Sequence, residues 1–169
     1  MRYLGIFILI IASAAAGCFA SGSLKRQAED MRRIRTMIEK IRLMIRYEAV
    51  EVSEIARRLA EDKSLSGLGF LQQLSCESSC LLDEGETFSD CWRRAVSAAG
   101  FSGEAGDLLF SIGDTLGSCD CEGQLSALSS AAANADRLAG LADENYRATG
   151  RLYRSLGAVA GALIAVMII

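Results

Sequence analysis

The 169-residue chain contains no proline and no histidine, and aromatic residues make up only 7% of it. Without proline, the residue that most strongly breaks helices is missing. Alanine, leucine, arginine, glutamate and serine dominate the middle of the chain, and together these features predict an all-α protein. Histidine is the commonest general base and the usual catalytic partner of serine or cysteine. Its absence predicts a protein that is not an enzyme and carries no cofactor.

The chain also has little net charge, only -3, although 23% of its residues are charged. So small a net charge does not predict a nucleic-acid partner. Because the sequence assembles no active site, a small-molecule substrate is not expected either. The length suits one domain, and the hydropathy pattern divides the chain into a membrane anchor over residues 1–21, a cytoplasmic helical bundle over 22–152 and a membrane segment over 153–169. The expected fold is an antiparallel bundle of about five or six helices with membrane helices at both ends.

The first apolar run, "YLGIFILIIASAAAGCFA", is uncharged and about as long as a membrane-spanning helix. Eight basic residues follow within residues 25–46, and such charges tend to stay in the cytoplasm. The run therefore predicts an uncleaved anchor. The alternative is export, because Ala14 and Ala16 form an A-x-A cleavage site and the residues up to Cys18 approximate a lipoprotein box. The protein would then be an exported helical lipoprotein, or a disulfide-bonded envelope protein.

The second apolar run is the uncharged part of "RLYRSLGAVAGALIAVMII" from Leu156 onward, and it is short for a full crossing unless Tyr153 and its neighbours are included. Arginines precede it and place the same side of the chain in the cytoplasm. Gly157 and Gly161 form a G-x-x-x-G pattern, which either provides a face for close helix pairing, including self-association, or is simple small-residue filler. Both runs predict the lipid bilayer as a partner.

Helical spacing organises the middle of the chain. Apolar residues at spacings of three and four predict helices over about residues 23–47 and 52–61, and the interruption near Glu48 favours a bundle over a coiled coil. Thr87 and Asp90 approximate a capping box, which opens a helix that buries Trp92 in the core. A further helix starts near Ser102. The last helix is expected to run unbroken from about residue 121 into the membrane segment.

Six cysteines make a metal site conceivable. Cys76 and Cys80 lie one helical turn apart and could join Cys119 and Cys121 in a four-thiolate zinc site. That spacing is looser than the paired C-x-x-C of zinc ribbons, so the sequence favours structural, buried thiols over a zinc or redox sensor. Around these cysteines, Gly113 and Gly117 predict a close turn between two helices, and Asp120 is a candidate cap for the last helix.

Four segments together resemble the stage III sporulation protein AB family over essentially the full length: the anchor with its basic helix, "LLDEGETFSDCWRRAV", "IGDTLGSCDCEGQ" and the C-terminal run. The residues that carry the resemblance are Trp92, Gly113, Leu116, Gly117, Asp120 and Gln124, then Leu152, Tyr153, Ser155, Leu156, Gly157 and Gly161.

The resemblance implies a membrane platform in the channel or secretion-like complex between mother cell and forespore. It implies a soluble region similar to the helical domain of type II secretion F proteins. It also implies docking of a cytoplasmic secretion-type ATPase, stage III sporulation protein AA, together with other membrane components of the complex. The implied location is the mother-cell membrane around the forespore.

Overall fold

The computed structural model describes residues 2–48, 50–78, 87–118 and 121–168, and within them the fold is all-helical with six α-helices and no strand. The helices are α1 (Arg2–Leu43), α2 (Val52–Glu61), α3 (Phe70–Ser78), α4 (Phe88–Ala98), α5 (Gly103–Ser118) and α6 (Cys121–Ile168). A π-helical turn, Met44–Glu48, extends α1, and a 3₁₀ turn, Lys63–Leu65, follows α2. The predicted all-α fold with five or six helices is confirmed.

Two compact units make up the chain. One contains Met1–Glu29 with Ala139–Ile169, and the other contains Asp30–Leu138. In the first unit, α1 and α6 lie close together at Ser21 and Gly150. A Cβ added to Gly150 would lie 3.2 Å from Ser21 Oγ. Among the described residues, no helix combines the length and the apolar character that a membrane crossing requires. The two membrane segments and the division at residues 21 and 152 stay predictions.

The core of the second unit follows the helical spacing read from the sequence. Ile34, Ile38, Ile41, Ile55 and Leu59 are each at most 1% exposed. Helices α2 to α5 pack in chain order, α2 on α3, α3 on α4 and α4 on α5. Several further core residues of this unit were not singled out from the spacing: Met37, Met44, Ala56, Leu65, Phe70, Cys91 and Ala95.

The observed ends of the helices show which of the helix boundaries predicted from the sequence are correct. Helix α2 spans the predicted residues 52–61, and the capping box of α4 is formed between Thr87 and Asp90. The helix expected to begin near residue 23 has no separate start there, because α1 runs continuously from Arg2. Without proline or another strong breaker between the apolar run and the basic stretch, nothing ends the helix.

The connection between α4 and α5 depends on glycine. Gly100 has φ 78° and Gly103 has φ 63°, both in the left-handed region that residues with a Cβ rarely adopt. Gly100 ends α4 in the manner of a glycine C′ residue, and its amide donates to the Ser97 carbonyl. These two positions turn the chain so that α5 returns along α4.

Candidate functional site

Trp92 is the centre of an aromatic cluster in the second unit. The side chain is fully buried, as the sequence predicted. Its ring lies 5.5 Å from the Phe70 ring at 74°, an edge-to-face arrangement, and 5.8 Å from the Phe88 ring. Phe70 also meets Phe101 edge to face at 5.9 Å. Such aromatic pairs add stability beyond that of their buried area. The cluster therefore connects α3 and α4 with the turn before α5.

The indole N–H of Trp92 has an internal partner. Nε1 donates to the Leu109 carbonyl of α5 over 2.7 Å. A buried indole needs such an acceptor, because an unpaired buried donor is costly. The bond fixes the position of α4 along α5 as well as the orientation of the ring.

Gly113 lies directly under the Trp92 ring. A Cβ at this position would lie 2.7 Å from Trp92 Cγ, which is closer than Cβ atoms come to their neighbours, and 3.0 Å from Nε1. The sequence prediction assigned Gly113 to a close turn between α5 and α6, and this assignment was wrong. The residue lies inside α5, where the absence of a side chain lets the indole pack against the helix backbone.

A polar cluster flanks this contact on the partly exposed side. Asp114 accepts hydrogen bonds from Arg93 Nε over 3.1 Å and from Ser89 Oγ over 2.5 Å. The Arg93 guanidinium also lies 5.5 Å from the centre of the Phe110 ring. These bonds from Arg93 and then Ser89 hold the pKa of the Asp114 carboxyl below its usual range. Ser89 and Arg93 of α4 therefore contact Phe110 and Asp114 of α5.

Gln124 and Leu116 connect the next pair of helices. Leu116 is buried, and Gln124 Nε2 donates to its carbonyl over 3.2 Å. Gly117 lies in the last turn of α5. The Gln124 side chain thus satisfies a carbonyl near the end of α5, which would otherwise lack an intrahelical partner.

Several predicted site residues fall outside what the structure describes. Asp120 and its role as a cap lie outside the described residues. Tyr153, Leu156, Gly157 and Gly161 belong to α6, but their side chains and packing are likewise outside the described set. The structure therefore brings together Trp92 and Gly113 at one junction and Leu116 and Gln124 at the next.

The cysteines do not form a metal centre within the described residues, where no group of three or more candidate ligands comes together. Cys91 is buried beside Trp92 in α4, as expected for a structural thiol. Cys76 and Cys121 are exposed, so the expectation of buried thiols was wrong for these two. Cys80 and Cys119, the other members of the proposed zinc set, lie outside the described residues.

Three residues of the junction were missed by the sequence analysis: Phe70, Ser89 and Asp114. Phe70 begins α3 and is fully buried, but the apolar spacing did not single it out. Asp114 follows Gly113 and carries no local signal, because its partners lie 21 and 25 residues away. Helical spacing shows which face of a helix is buried, but it does not show which helix covers that face.

Comparison with known proteins gives the family. A search of curated proteins and a search of solved structures returned no match. A family model described as stage III sporulation protein AB matches residues 2–169. The match covers both apolar runs and the whole segment between them, and it confirms the resemblance carried by the tryptophan and glycine motifs. The chain therefore belongs to the stage III sporulation protein AB family.

Proposed function

We propose that this chain is a non-enzymatic membrane platform in the sporulation complex between mother cell and forespore, where its helical bundle docks a cytoplasmic secretion-type ATPase. The observation that carries the proposal is the family match over residues 2–169, which gives the chain a role in sporulation. The implied ATPase is stage III sporulation protein AA. Other membrane components of the same complex would share the platform.

The chemistry of the candidate site supports a scaffold. Its polar groups are hydrogen-bonded within the bundle. The Trp92 indole donates to the Leu109 carbonyl, and the Asp114 carboxylate accepts from Arg93 and Ser89. Groups that are satisfied internally fix helix positions, whereas a catalytic acid or base must be able to exchange a proton with substrate. The sequence also offers no histidine for that task.

The charge distribution supports a cytoplasmic bundle at the mother-cell membrane around the forespore. Residues 3–20 are uncharged and are followed by a basic stretch, and Arg147, Arg151 and Arg154 precede the second apolar run. Positive charge on the same side of both runs favours one orientation, with the bundle inside the cell. The two runs would hold the bundle at the membrane from both of its ends.

The location of the ATPase in sporulating cells tests this function. With the chain present, we expect the ATPase to sediment with membranes, and in a strain lacking the chain we expect it in the soluble fraction. Re-expression of the wild-type chain serves as the matched control and should restore membrane association. An ATPase that stays on membranes without the chain, or stays soluble with it, would contradict the proposed docking role.

A further inference from the structure

The end of α1 exposes apolar surface at a site where the helix changes its winding. Leu43 is 53% exposed and Tyr47 is 74% exposed, whereas Met44 and Ile45 between them are buried. Residues Met44–Glu48 form the π-helical turn. Such turns are rare and occur frequently at functional sites. One exposed apolar side chain needs no explanation. Two that lie one turn apart at the end of a helix, one of them lining a groove, indicate a contact surface.

A groove lies between this end of α1 and the start of α6, within the second unit. Its volume is about 400 Å³, and it is lined by Glu39, Arg42, Leu43, Arg46, Leu125, Ser126 and Ser129. We call it the α1/α6 groove. Serine is small, so the α6 side allows the backbone of a docked segment to come close. Leu43 and Leu125 give the groove apolar walls.

The two arginines of the α1/α6 groove are only partly paired with carboxylates of the bundle. Arg42 Nη1 donates to both carboxylate oxygens of Glu39, at 3.1 and 3.2 Å, but its buried Nε has no acceptor among the described residues. Arg46 is exposed and makes no ion pair with any residue that the structure describes. The groove therefore has positive charge in excess, and a carboxylate is the complementary group.

A second groove beside Leu43 provides a contrast. It is lined in part by Lys40, Glu48, Arg58 and Asp62. There Lys40 pairs with Asp62, and Arg58 pairs with Glu48. The cations of this neighbouring groove are already neutralised by carboxylates of the same bundle, so the unmatched charge belongs to the α1/α6 groove.

We propose that the α1/α6 groove docks an acidic amphipathic helix of a partner protein. Leu43 and Tyr47 pack against its apolar face, and Arg46 pairs with one of its carboxylates. Tyrosine and arginine are the side chains that most often dominate binding energy at interfaces, and a groove that receives one face of a helix is a common recognition mode. The inference rests on the proposed function, because it gives the face through which the platform holds its ATPase.

A lipid surface is a weaker match for the same residues. Each positive charge adds only a small part of the binding energy to anionic lipid, so such binding requires a cluster of free cations. The face offers one cation without a partner, Arg46, and it is concave where a membrane surface is flat. Concavity together with a single free charge favours a protein helix.

Binding of the purified ATPase to variants of the full-length chain tests the docking face. We expect Tyr47→Ala or Arg46→Glu to weaken co-purification at least about tenfold, as truncation of a dominant contact does. Lys63→Glu makes the same charge change at another exposed position of the same unit, and it should bind as the wild type does. Emission from Trp92, the only tryptophan, verifies that each variant is folded.

Photocross-linking from position 47 of the full-length chain tests the chemistry of the occupant. We expect the cross-linked peptide, mapped by mass spectrometry, to come from a segment of the ATPase with carboxylates on one helical face and apolar residues on the other. Cross-links to lipid alone, or to a basic segment, would overturn the proposal.

The binding results also separate this inference from the proposed function. If the wild-type chain binds the ATPase and the Tyr47 and Arg46 variants bind equally well, the docking face is wrong and the platform function stands. If the folded wild-type chain does not bind the ATPase at all, both the proposed function and the docking face fail.

Discussion

At the scale of single residues, the contact between Trp92 and Gly113 determines how α4 lies on α5. The indole occupies the space that a side chain at position 113 would fill, and its N–H bonds the carbonyl of Leu109 one turn earlier. Interiors are packed at crystal-like density, so neither residue has room to accommodate a larger neighbour. The packing of the ring on Gly113 and the hydrogen bond to Leu109 together fix α4 on α5, and we call this contact the lock.

Gly113→Ala should therefore destabilise the protein even though alanine favours helix. We expect the free energy of unfolding to fall by about 1–3 kcal/mol, because the buried Trp92 ring must leave its position. Urea unfolding of the full-length chain, followed by Trp92 emission, measures this change. Gly69→Ala is the matched control, since a Cβ there meets nothing within 4 Å, and it should shift stability by less than about 0.5 kcal/mol. Equal stability of the two variants would contradict the proposed lock.

The sequence predicted one member of this lock correctly and misplaced the other. Trp92 lies on the apolar face of its helix, and large apolar side chains on such faces are normally buried. Gly113 has no side chain, so its role depends on what approaches it from another helix. The role of Asp114 was hard to predict for the same reason. It stabilises the fold by accepting hydrogen bonds from Arg93 and Ser89, which are distant in the chain.

At the scale of elements, helix α4 begins with a complete capping box. The Thr87 hydroxyl accepts from the Asp90 amide, and the Asp90 carboxylate accepts from the Thr87 amide, each over 3.3 Å. The bonds from the Thr87 hydroxyl and amide also lower the pKa of Asp90. The box thereby gives the Thr87 amide an acceptor, and it gives the Asp90 amide a second acceptor beside the Thr87 carbonyl.

Thr87→Ala removes one half of this box. We expect a loss of about 1 kcal/mol in the free energy of unfolding, the usual cost of deleting a capping hydroxyl. Thr87→Ser keeps the hydroxyl and should retain most of the stability. Urea midpoints of the three proteins decide the matter, and a serine variant as weak as the alanine variant would show that the cap is not the stabilising feature.

Helix α2 makes the fold sensitive to acid. Hydrogen bonds from Arg57 and Arg58 lower the pKa of Glu54 from 4.5 to about 2, and Lys40 with Ser64 lowers that of Asp62 from 3.8 to about 2. A carboxylate with a lowered folded-state pKa stabilises the fold above its unfolded pKa and loses that contribution as pH falls towards 2. Stability should therefore decline between about pH 4.5 and pH 2.

Glu54→Gln should flatten this decline, because the amide cannot titrate. Glu51→Gln is the matched control from just before α2; Glu51 is exposed and makes no ion pair with a described residue. Urea midpoints measured across the acid range compare the two, and high salt should reduce the difference by screening. Identical acid profiles for the Glu54 and Glu51 variants would contradict a role for the Glu54 ion pairs.

The positions of the helices along the chain were more predictable than which helices pack against each other. The 52–61 helix and the cap at Thr87 depend on neighbouring residues, and both were predicted from sequence. The π-helical turn after α1 was not foreseen, since the pattern showed only an interruption near Glu48. The groove that this end of α1 borders depends on where α6 lies, and the spacing of apolar residues contains no information on that position.

At the scale of the whole molecule, the proposed orientation predicts which thiols a reagent can reach. Cys76 and Cys121 are exposed and Cys91 is buried. With the bundle in the cytoplasm, a membrane-impermeant maleimide should label none of the three in intact cells, and should label the first two after permeabilisation. Mass spectrometry of the cysteine peptides measures this, with Cys91 as the internal control for a folded bundle. Labelling of Cys76 in intact cells would favour an exported protein.

The central claim is that the bundle is a docking platform for the sporulation ATPase. The most direct measurement is the affinity of the purified ATPase for the full-length chain reconstituted in lipid nanodiscs. We expect saturable binding that weakens as salt rises, because part of the proposed contact is between Arg46 and a carboxylate. The absence of saturable binding, with Trp92 emission showing that the bundle is folded, would contradict the claim.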